Sequence, residues 1–197
     1  MILSSEFYTR PDVVQIAREL LGKLLVTRID GLLTSGRISE TEAYAGTIDR
    51  ASHAYGERRT TRTEIMHRKG GTAYVYLCYG IHSLFNVVTN GEGIPHAVLI
   101  RGITPVDGVN EMLARSGKPG LEKGTGSGPG KVSKLLGIHY SHTGLDLTSQ
   151  SPKKNKPAIW IEDTGFHVRK TSILITPRIG VGYAGEDAAL PYRFVLK

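Results

Sequence analysis

Between Gly36 and Ala45 the side chains alternate in polarity. Arg37, Ser39 and Thr41 fall on one side of an extended segment, and Ile38, Glu40, Glu42 and Tyr44 on the other. Ile38 with Glu42 and Tyr44 makes a mixed face, on which a carboxylate and an aromatic ring share an apolar surface. A carboxylate in such a place is uncommon unless it is paired or does chemistry. In the chemical reading it is a general base, which must be ionised to take a proton from water. In the structural reading its partner is Arg101, and that pairing would itself keep Glu42 ionised. Access to water is what separates the two readings. Glu40, two residues away, reads as structural.

Other chemistries find no footing. A P-loop ending at Gly130-Lys131 would need glycine where Thr125 stands, and Ser or Thr where Val132 stands. The seven histidines form no His-Glu-x-x-His, and a single cysteine cannot build a Cys-rich zinc site. The zinc deaminase signature and the Gly-x-Ser-x-Gly elbow of serine hydrolases are also missing. A hydrolase that uses a carboxylate, with neither metal nor cofactor, remains.

The elements that must position these residues can be read in outline. Pro11 to Leu21 has helical spacing, with proline in the first turn and Gly22 as a stop. Thr72–Tyr79 and His82–Thr89 are rich in Val, Tyr, Phe and Leu, and Tyr79-Gly80-Ile81 between them predicts a β-hairpin. Tyr55–Gly71 reads as a long basic loop with room for a short helix, His96–Ile103 as a strand and Val106–Arg115 as a helix. Lys123–Gly130 is glycine-rich and leads into a helix through Val132–Leu136, whose free N–H groups would suit a phosphate. Ala158–Glu162, Ser172–Thr176 and Arg193–Leu196 read as late strands. The expected fold is α+β: a single compact domain over residues 1–197, with a curved, mostly antiparallel β-sheet, surrounding helices and a protruding β-hairpin.

The 197 residues include 25 Lys and Arg against 18 Asp and Glu, a net charge of +7, and this balance favours a polyanionic partner. Arg58, Arg59, Arg62, His67, Arg68 and Lys69 crowd one segment; Lys153, Lys154 and Lys156 form a second cluster. Either is a solvated loop or a phosphate contact. Cys78 is the only cysteine, which excludes an intrachain disulfide and fits a cytosolic setting. No apolar run approaches the roughly 20 residues of a membrane span, and Met1–Glu6 lacks the pattern of a signal peptide.

Three stretches stand out: Glu40-Thr41-Glu42-Ala43-Tyr44 running on to His53, Gly71 to Gly80 (GTAYVYLCYG) running on to Asn86, and Val98-Leu99-Ile100-Arg101-Gly102. They resemble the alkyladenine (3-methyladenine) DNA glycosylase family, in the form of its compact bacterial members. Ser127-Gly128-Pro129-Gly130-Lys131 and the run from Arg178 to Glu186 support them. The match extends from about Leu20 to Leu196, in order and with matching gaps. Ile81, where a methionine can stand, and Tyr183, where histidine is common, depart from the pattern and bear on pocket shape and lesion preference.

The resemblance implies a base-excision enzyme. It would flip alkylated or deaminated purines (3-methyladenine, hypoxanthine or ethenoadenine) out of double-stranded DNA and hydrolyse the N-glycosidic bond, leaving an abasic site without strand cleavage. Glu42 matches the base that activates water, and Arg101 a residue that helps hold that water. Tyr44, His53 and Tyr76 match the walls around the flipped base, and Asn86 a pocket residue that clashes with the amino group of guanine. Tyr79 matches a side chain that fills the gap in the duplex, although a turn tyrosine is also an ordinary structural feature. Arg58, Arg59, Arg62 and Lys131 are the expected DNA contacts. The expectation is a monomer in the cytoplasm, associated with the nucleoid through DNA. The rival readings are a non-enzymatic damage-binding protein of the same fold and a basic enzyme acting on free nucleosides.

Overall fold

The computed structural model describes residues 1–149 and 155–197. Eight strands form one antiparallel sheet: β1 (Leu24–Ile29), β2 (Leu32–Tyr44), β3 (Ala73–Cys78), β4 (His82–Thr89), β5 (His96–Asp107), β6 (Ala158–Glu162), β7 (Ile173–Thr176) and β8 (Arg193–Leu196). The order is β3-β4-β5-β2-β1-β6; β8 pairs with the second half of β2 and carries β7. The longest strand, β2, thus holds β5 along one edge and β1 followed by β8 along the other, and the sheet curves around it. Among the described residues four short α-helices accompany it: α1 (Ser5–Tyr8), α2 (Val13–Leu20), α3 (Val109–Ser116) and α4 (Pro129–Leu136). Among the described residues no helix is long and apolar enough to cross a membrane.

The α+β fold, the antiparallel curved sheet and the hairpin agree with the sequence reading; several boundaries move. The first long helix starts at Val13, because Asp12 caps it by accepting from the Gln15 N–H at 2.9 Å and leaves Pro11 outside. Strand β1 has no counterpart in the sequence reading: Leu24-Leu25-Val26-Thr27 is buried on both faces and shows no alternation. Asp30-Gly31, both at positive φ, turns β1 directly into β2. That dipeptide is itself a strong hairpin signal. Strand β5 runs on to Asp107, where Ser35 Oγ bonds the carboxylate, and α3 begins only at Val109 after Gly108 at φ 69°.

One face of the sheet packs on α2, α3 and α4 through Ile16, Leu20, Phe85, Val98, Ile100, Met112 and Leu135, which form the main core. The Thr41 hydroxyl donates to the Ala17 carbonyl and ties β2 to α2. Ile38 lies in this core, as does Ala43, so it does not share a face with Glu42. The even alternation expected over Gly36–Ala45 is broken by two irregularities. Ile38 pairs with Ile103 and Glu40 with Gly102, leaving Ser39 as an extra residue on β2. Thr41 then pairs with Ile100, leaving Arg101 as an extra residue on β5. Such bulges re-aim side chains and bend strands. Here they turn Glu40, Glu42 and Arg101 to the side away from the helices.

The glycine-rich stretch serves this bulge. The Gly128 N–H donates to the Arg101 carbonyl at 2.8 Å, and the Ile103 N–H donates to the Gly126 carbonyl at 3.0 Å. The backbone groups that the irregularity frees from the ladder thus find partners in the loop. A Cβ at Gly126 would lie 2.0 Å from the Ile103 carbonyl oxygen, which is why glycine stands there. On the opposite side, a Cβ at Gly102 would lie 2.9 Å from both Glu40 Cβ and Ser39 Oγ. Gly102→Ala is therefore expected to lower unfolding free energy by about 1–3 kcal/mol through overpacking. Urea denaturation measures it, and a midpoint equal to that of the parent would show that the paired bulges can open at no cost.

Candidate active site

The register of the sheet assembles the site. On the face turned from the helices, Glu42 pairs with Leu99, Leu99 with Asn86 and Asn86 with Tyr74. Four strands thus place one row of side chains across a span of roughly 14 Å at the usual interstrand spacing. Tyr76 lies two residues beyond Tyr74 and so on the same face. Above the row lies a cavity of about 610 Å³, closed by residues 51–53, by Arg62 and Met66, by the β3–β4 hairpin and by residues 179–183. Glu42, Tyr44, His53, Tyr76, Asn86 and Arg101 all line it, with Tyr79 and Arg62 at the same cavity.

Glu42 is fully buried. Its Oε1 accepts from the Ile179 N–H at 2.8 Å and its Oε2 from the Tyr44 hydroxyl at 2.8 Å. Burial pushes its carboxyl above the usual range; Arg101, the Ile179 N–H and Tyr44 oppose that rise, and Glu40 adds to it. The Arg101–Glu42 ion pair of the structural reading is present, but Arg101 is shared with Glu40, which holds it more closely. Its Nε donates to Glu40 at 2.9 Å and lies 3.5 Å from Glu42 Oε1.

The peptide that serves Glu42 is held by a buried ion pair. Arg178 donates to both carboxylate oxygens of Asp49, at 2.5 and 2.8 Å, and to the Ala43 carbonyl at 2.9 Å. Asp49 in turn accepts from the N–H groups of Ala45 and Ala51. The Arg178 guanidinium lies 4.8 Å from the Tyr44 ring centroid and 5.3 Å from that of Tyr192. One charge pair therefore fixes the Tyr44 ring, the turn after β2 and the Ile179 N–H together. No local sequence signal marks it, since the partners are 129 residues apart.

The other wall is aromatic. His53 Nδ1 shares a hydrogen bond with the Tyr74 hydroxyl at 2.7 Å, and its ring meets that of Tyr76 edge-on at 4.7 Å. Burial, then Arg62 and Arg58, hold the His53 pKa below its ordinary value, which favours the neutral ring. Asn86 donates from Nδ2 to the Tyr74 and Leu84 carbonyls, both at 3.2 Å, so its amide is fixed in the row. Tyr74 and Met66 also line the cavity, and the sequence reading had not marked them. Both belong to a small apolar cluster with Ala54, Val88 and Ala97 under the aromatic wall.

Tyr79 is 92% exposed at the hairpin tip, and Ile81 is 73% exposed beside it. Tyr79 and Gly80 both have positive φ and the Ile81 N–H donates to the Cys78 carbonyl, a tight turn that pushes the tyrosine outward. Left-handed backbone is uncommon for tyrosine, and strain of this sort collects at functional positions. Of the basic residues, Arg62 stands 6.0 Å from the Tyr76 ring centroid, Arg59 is engaged by Glu64, and Arg58 and Lys131 are exposed. Arg58, Arg59 and Lys131 do not line the cavity. Lys153 and Lys154 lie outside the described residues. Among the described residues, no group of three or more His, Cys, Asp or Glu side chains could hold a metal ion.

Comparison with known proteins places the chain in a class. The pattern of the methylpurine-DNA glycosylase family matches residues 6–197. A Chlamydia felis protein named "Putative 3-methyladenine DNA glycosylase" is 45% identical over 196 residues, covering 99% of this chain and 96% of its own length. Proteins of the same name from Clostridium perfringens strain 13 and Bacillus cereus strain G9842 are 40% and 43% identical. They cover 100% and 94% of this chain, and 96% and 91% of their own lengths. The class is that of DNA glycosylases, hydrolases of N-glycosyl bonds. The chain belongs to the methylpurine-DNA glycosylase family.

Removing one member of the buried pair leaves the other charge without compensation. Asp49→Asn is expected to lower unfolding free energy by about 3–5 kcal/mol. Guanidinium denaturation provides the measurement; stability within error of the parent would mean that Arg178 finds another partner and does not depend on Asp49.

Proposed function

We propose that this glycosylase flips alkylated or deaminated purines of the 3-methyladenine, hypoxanthine or ethenoadenine kind out of duplex DNA, and that Glu42 drives their hydrolytic release. The observation that carries this reading is a buried carboxylate in the same cross-strand row as Asn86, on the floor of a cavity walled by Tyr44, His53 and Tyr76. A base in the stack cannot be attacked, so extrusion comes first, at a cost of a few kcal/mol. Tyr79 lowers that cost by entering the vacancy, as wedge side chains do. Tyrosine faces attract the positive charge of an alkylated purine, with about 0.5–2 kcal/mol per contact. Asn86, held by two carbonyls, stands against the amino group of guanine.

In the chemical step the bond between the purine nitrogen and C1′ breaks and its electron pair leaves with the base: a cationic alkylated purine departs neutral, and a neutral purine departs as its anion and takes up a proton from water. The sugar gains oxocarbenium character, which the Glu42 carboxylate stabilises. A water beside Arg101 adds its oxygen to C1′ and gives its proton to Glu42. The products are a free base and an abasic site. No lysine lines the cavity among the described residues, so no amine stands ready to form a Schiff base and cut the strand. Arg58, Arg59, Arg62 and Lys131 are assigned to the DNA backbone, which the net charge of +7 favours. Each copy carries a complete site, in keeping with a monomer acting on nucleoid DNA in the cytoplasm, the setting that a single cysteine fits.

A single-turnover assay on a duplex oligonucleotide with one alkylated or deaminated adenine, followed by hot alkali, tests the proposal. Alkali-dependent cleavage is expected with the parent. A loss of about 100-fold or more is expected with Glu42→Gln, the size of a general-base contribution. Tyr79→Ala is expected to slow excision from duplex while sparing single-stranded substrate. Cleavage without alkali would overturn simple hydrolysis, and parent-like rates from Glu42→Gln would remove Glu42 from its role. Tight duplex binding without excision of any lesion would favour a damage-binding protein of the same fold.

A further inference from the structure

Glu40 is a charged side chain next to the site that takes no part in the hydrolysis proposed for Glu42. Its Oε1 is shared by two guanidinium groups: Arg101 donates from Nε at 2.9 Å and Arg193 from Nε at 2.6 Å. Arg193 is anchored by its hydrogen bond to Thr176 Oγ1 and lies opposite Glu42 in the β2–β8 register. Glu40 does not line the main cavity. It lines a separate one of about 320 Å³ formed with Gly102 and residues 121–127, so it does not reach a base held over Glu42. The adjacent bulges put it there: Ser39 is the extra residue on β2, Arg101 the extra residue on β5, and Gly102 leaves room for the Glu40 side chain.

We propose that Glu40 is a positioning residue for the reaction: by engaging Arg101 from the side away from the substrate, it keeps that guanidinium from closing on Glu42 and leaves Glu42 basic enough to take a proton from water. The inference rests on Glu42 acting as the base. A carboxylate held tightly by a guanidinium is stabilised as the anion and is a weaker base. Arg101 stands 3.5 Å from Glu42 Oε1, and its shorter bond goes to Glu40. The other groups facing Glu42 are Tyr44 on its own strand, Arg178 and the Ile179 N–H from the loop before β8, Tyr76 on β3 and Tyr183. Of the groups acting on Glu42, Glu40 is the carboxylate that opposes Arg101. Ion-pair geometry at the bulge therefore adjusts the chemistry from outside the substrate cavity.

The test is the pH dependence of single-turnover excision for the parent, Glu40→Gln, Arg193→Gln and Glu42→Gln. Because burial raises the Glu42 pKa, the parent's rate is expected to fall on the acid side at a pH above the ordinary carboxylate range. Glu40→Gln frees Arg101 for Glu42, so this limb moves down by about one pH unit. The plateau rate falls about tenfold as the base weakens. Arg193→Gln leaves Glu40 wholly to Arg101 and removes a positive charge, so the limb moves up. A merely structural salt bridge would lower stability in both variants and move neither limb. Unmoved limbs, with Glu42→Gln inactive, would overturn the role of Glu40 alone; excision by Glu42→Gln at the parent's rate would overturn Glu42 as base and the inference with it. If Glu40→Gln does not fold, Arg193→Gln decides by an upward or an unmoved limb.

Discussion

A glutamate withdrawn wholly from solvent needs a partner for each oxygen, and in this protein the partners of Glu42 organise much of the structure around them. One oxygen takes a peptide N–H from Ile179, and the other takes the hydroxyl of Tyr44 on the same strand. Neither of these donors carries a formal charge, and the charged neighbour, Arg101, stands at 3.5 Å with its shorter bond to Glu40, so burial dominates and the carboxyl group is pushed upward. Arg178 and Asp49 hold both partners in place with a charge pair that lies outside the cavity. The arrangement stabilises the position of the carboxylate more than its charge, which is what a base needs if it is to accept a proton.

The second constraint is the bend in the sheet. A regular β2–β5 ladder would keep Ile38 and Glu42 on one face, and Ile38 belongs in the main core. The two irregularities at Ser39 and Arg101 resolve this conflict within a few residues. They leave backbone groups unpaired, and the glycine-rich loop before α4 supplies partners to the Arg101 carbonyl and the Ile103 N–H. Gly126 and Gly102 allow the close approaches on which this depends. A loop whose composition invites thoughts of a nucleotide is thereby a strap on the bulge. Its helix begins beside the hairpin, where a Cβ at Gly130 would touch the His82 ring at 3.3 Å.

Much of this was legible in the residues. The hairpin around Tyr79-Gly80, the late strands and the carboxylate face of β2 follow from composition and period, and Glu42, Tyr44, Tyr76, Asn86 and Arg101 meet in one cavity. What stayed hidden depends on distance in the chain or on broken periodicity. Strand β1 is buried on both faces and so lacks alternation. Ile38 follows the right period for the wrong side because the extra residue at Ser39 resets the phase. The Arg178–Asp49 pair and the sharing of Arg101 between Glu40 and Glu42 join residues more than 55 positions apart, beyond the reach of any local pattern. The basic cluster, dense in sequence, is divided in space: Arg62 reaches the aromatic wall while Arg59 is taken up by Glu64.

Hydrolysis by this site turns on the protonation of one buried side chain, and that can be followed directly. Protein labelled with carbon-13 at the glutamate carboxyl groups would be titrated by NMR, with the Glu42 signal assigned by its disappearance in Glu42→Gln. The Glu42 carboxyl is predicted to titrate above the ordinary glutamate range, as a group buried against uncharged donors with Arg101 drawn aside by Glu40. A midpoint at or below that range would contradict the account, because it would mean that Arg101 holds Glu42 as a structural ion pair.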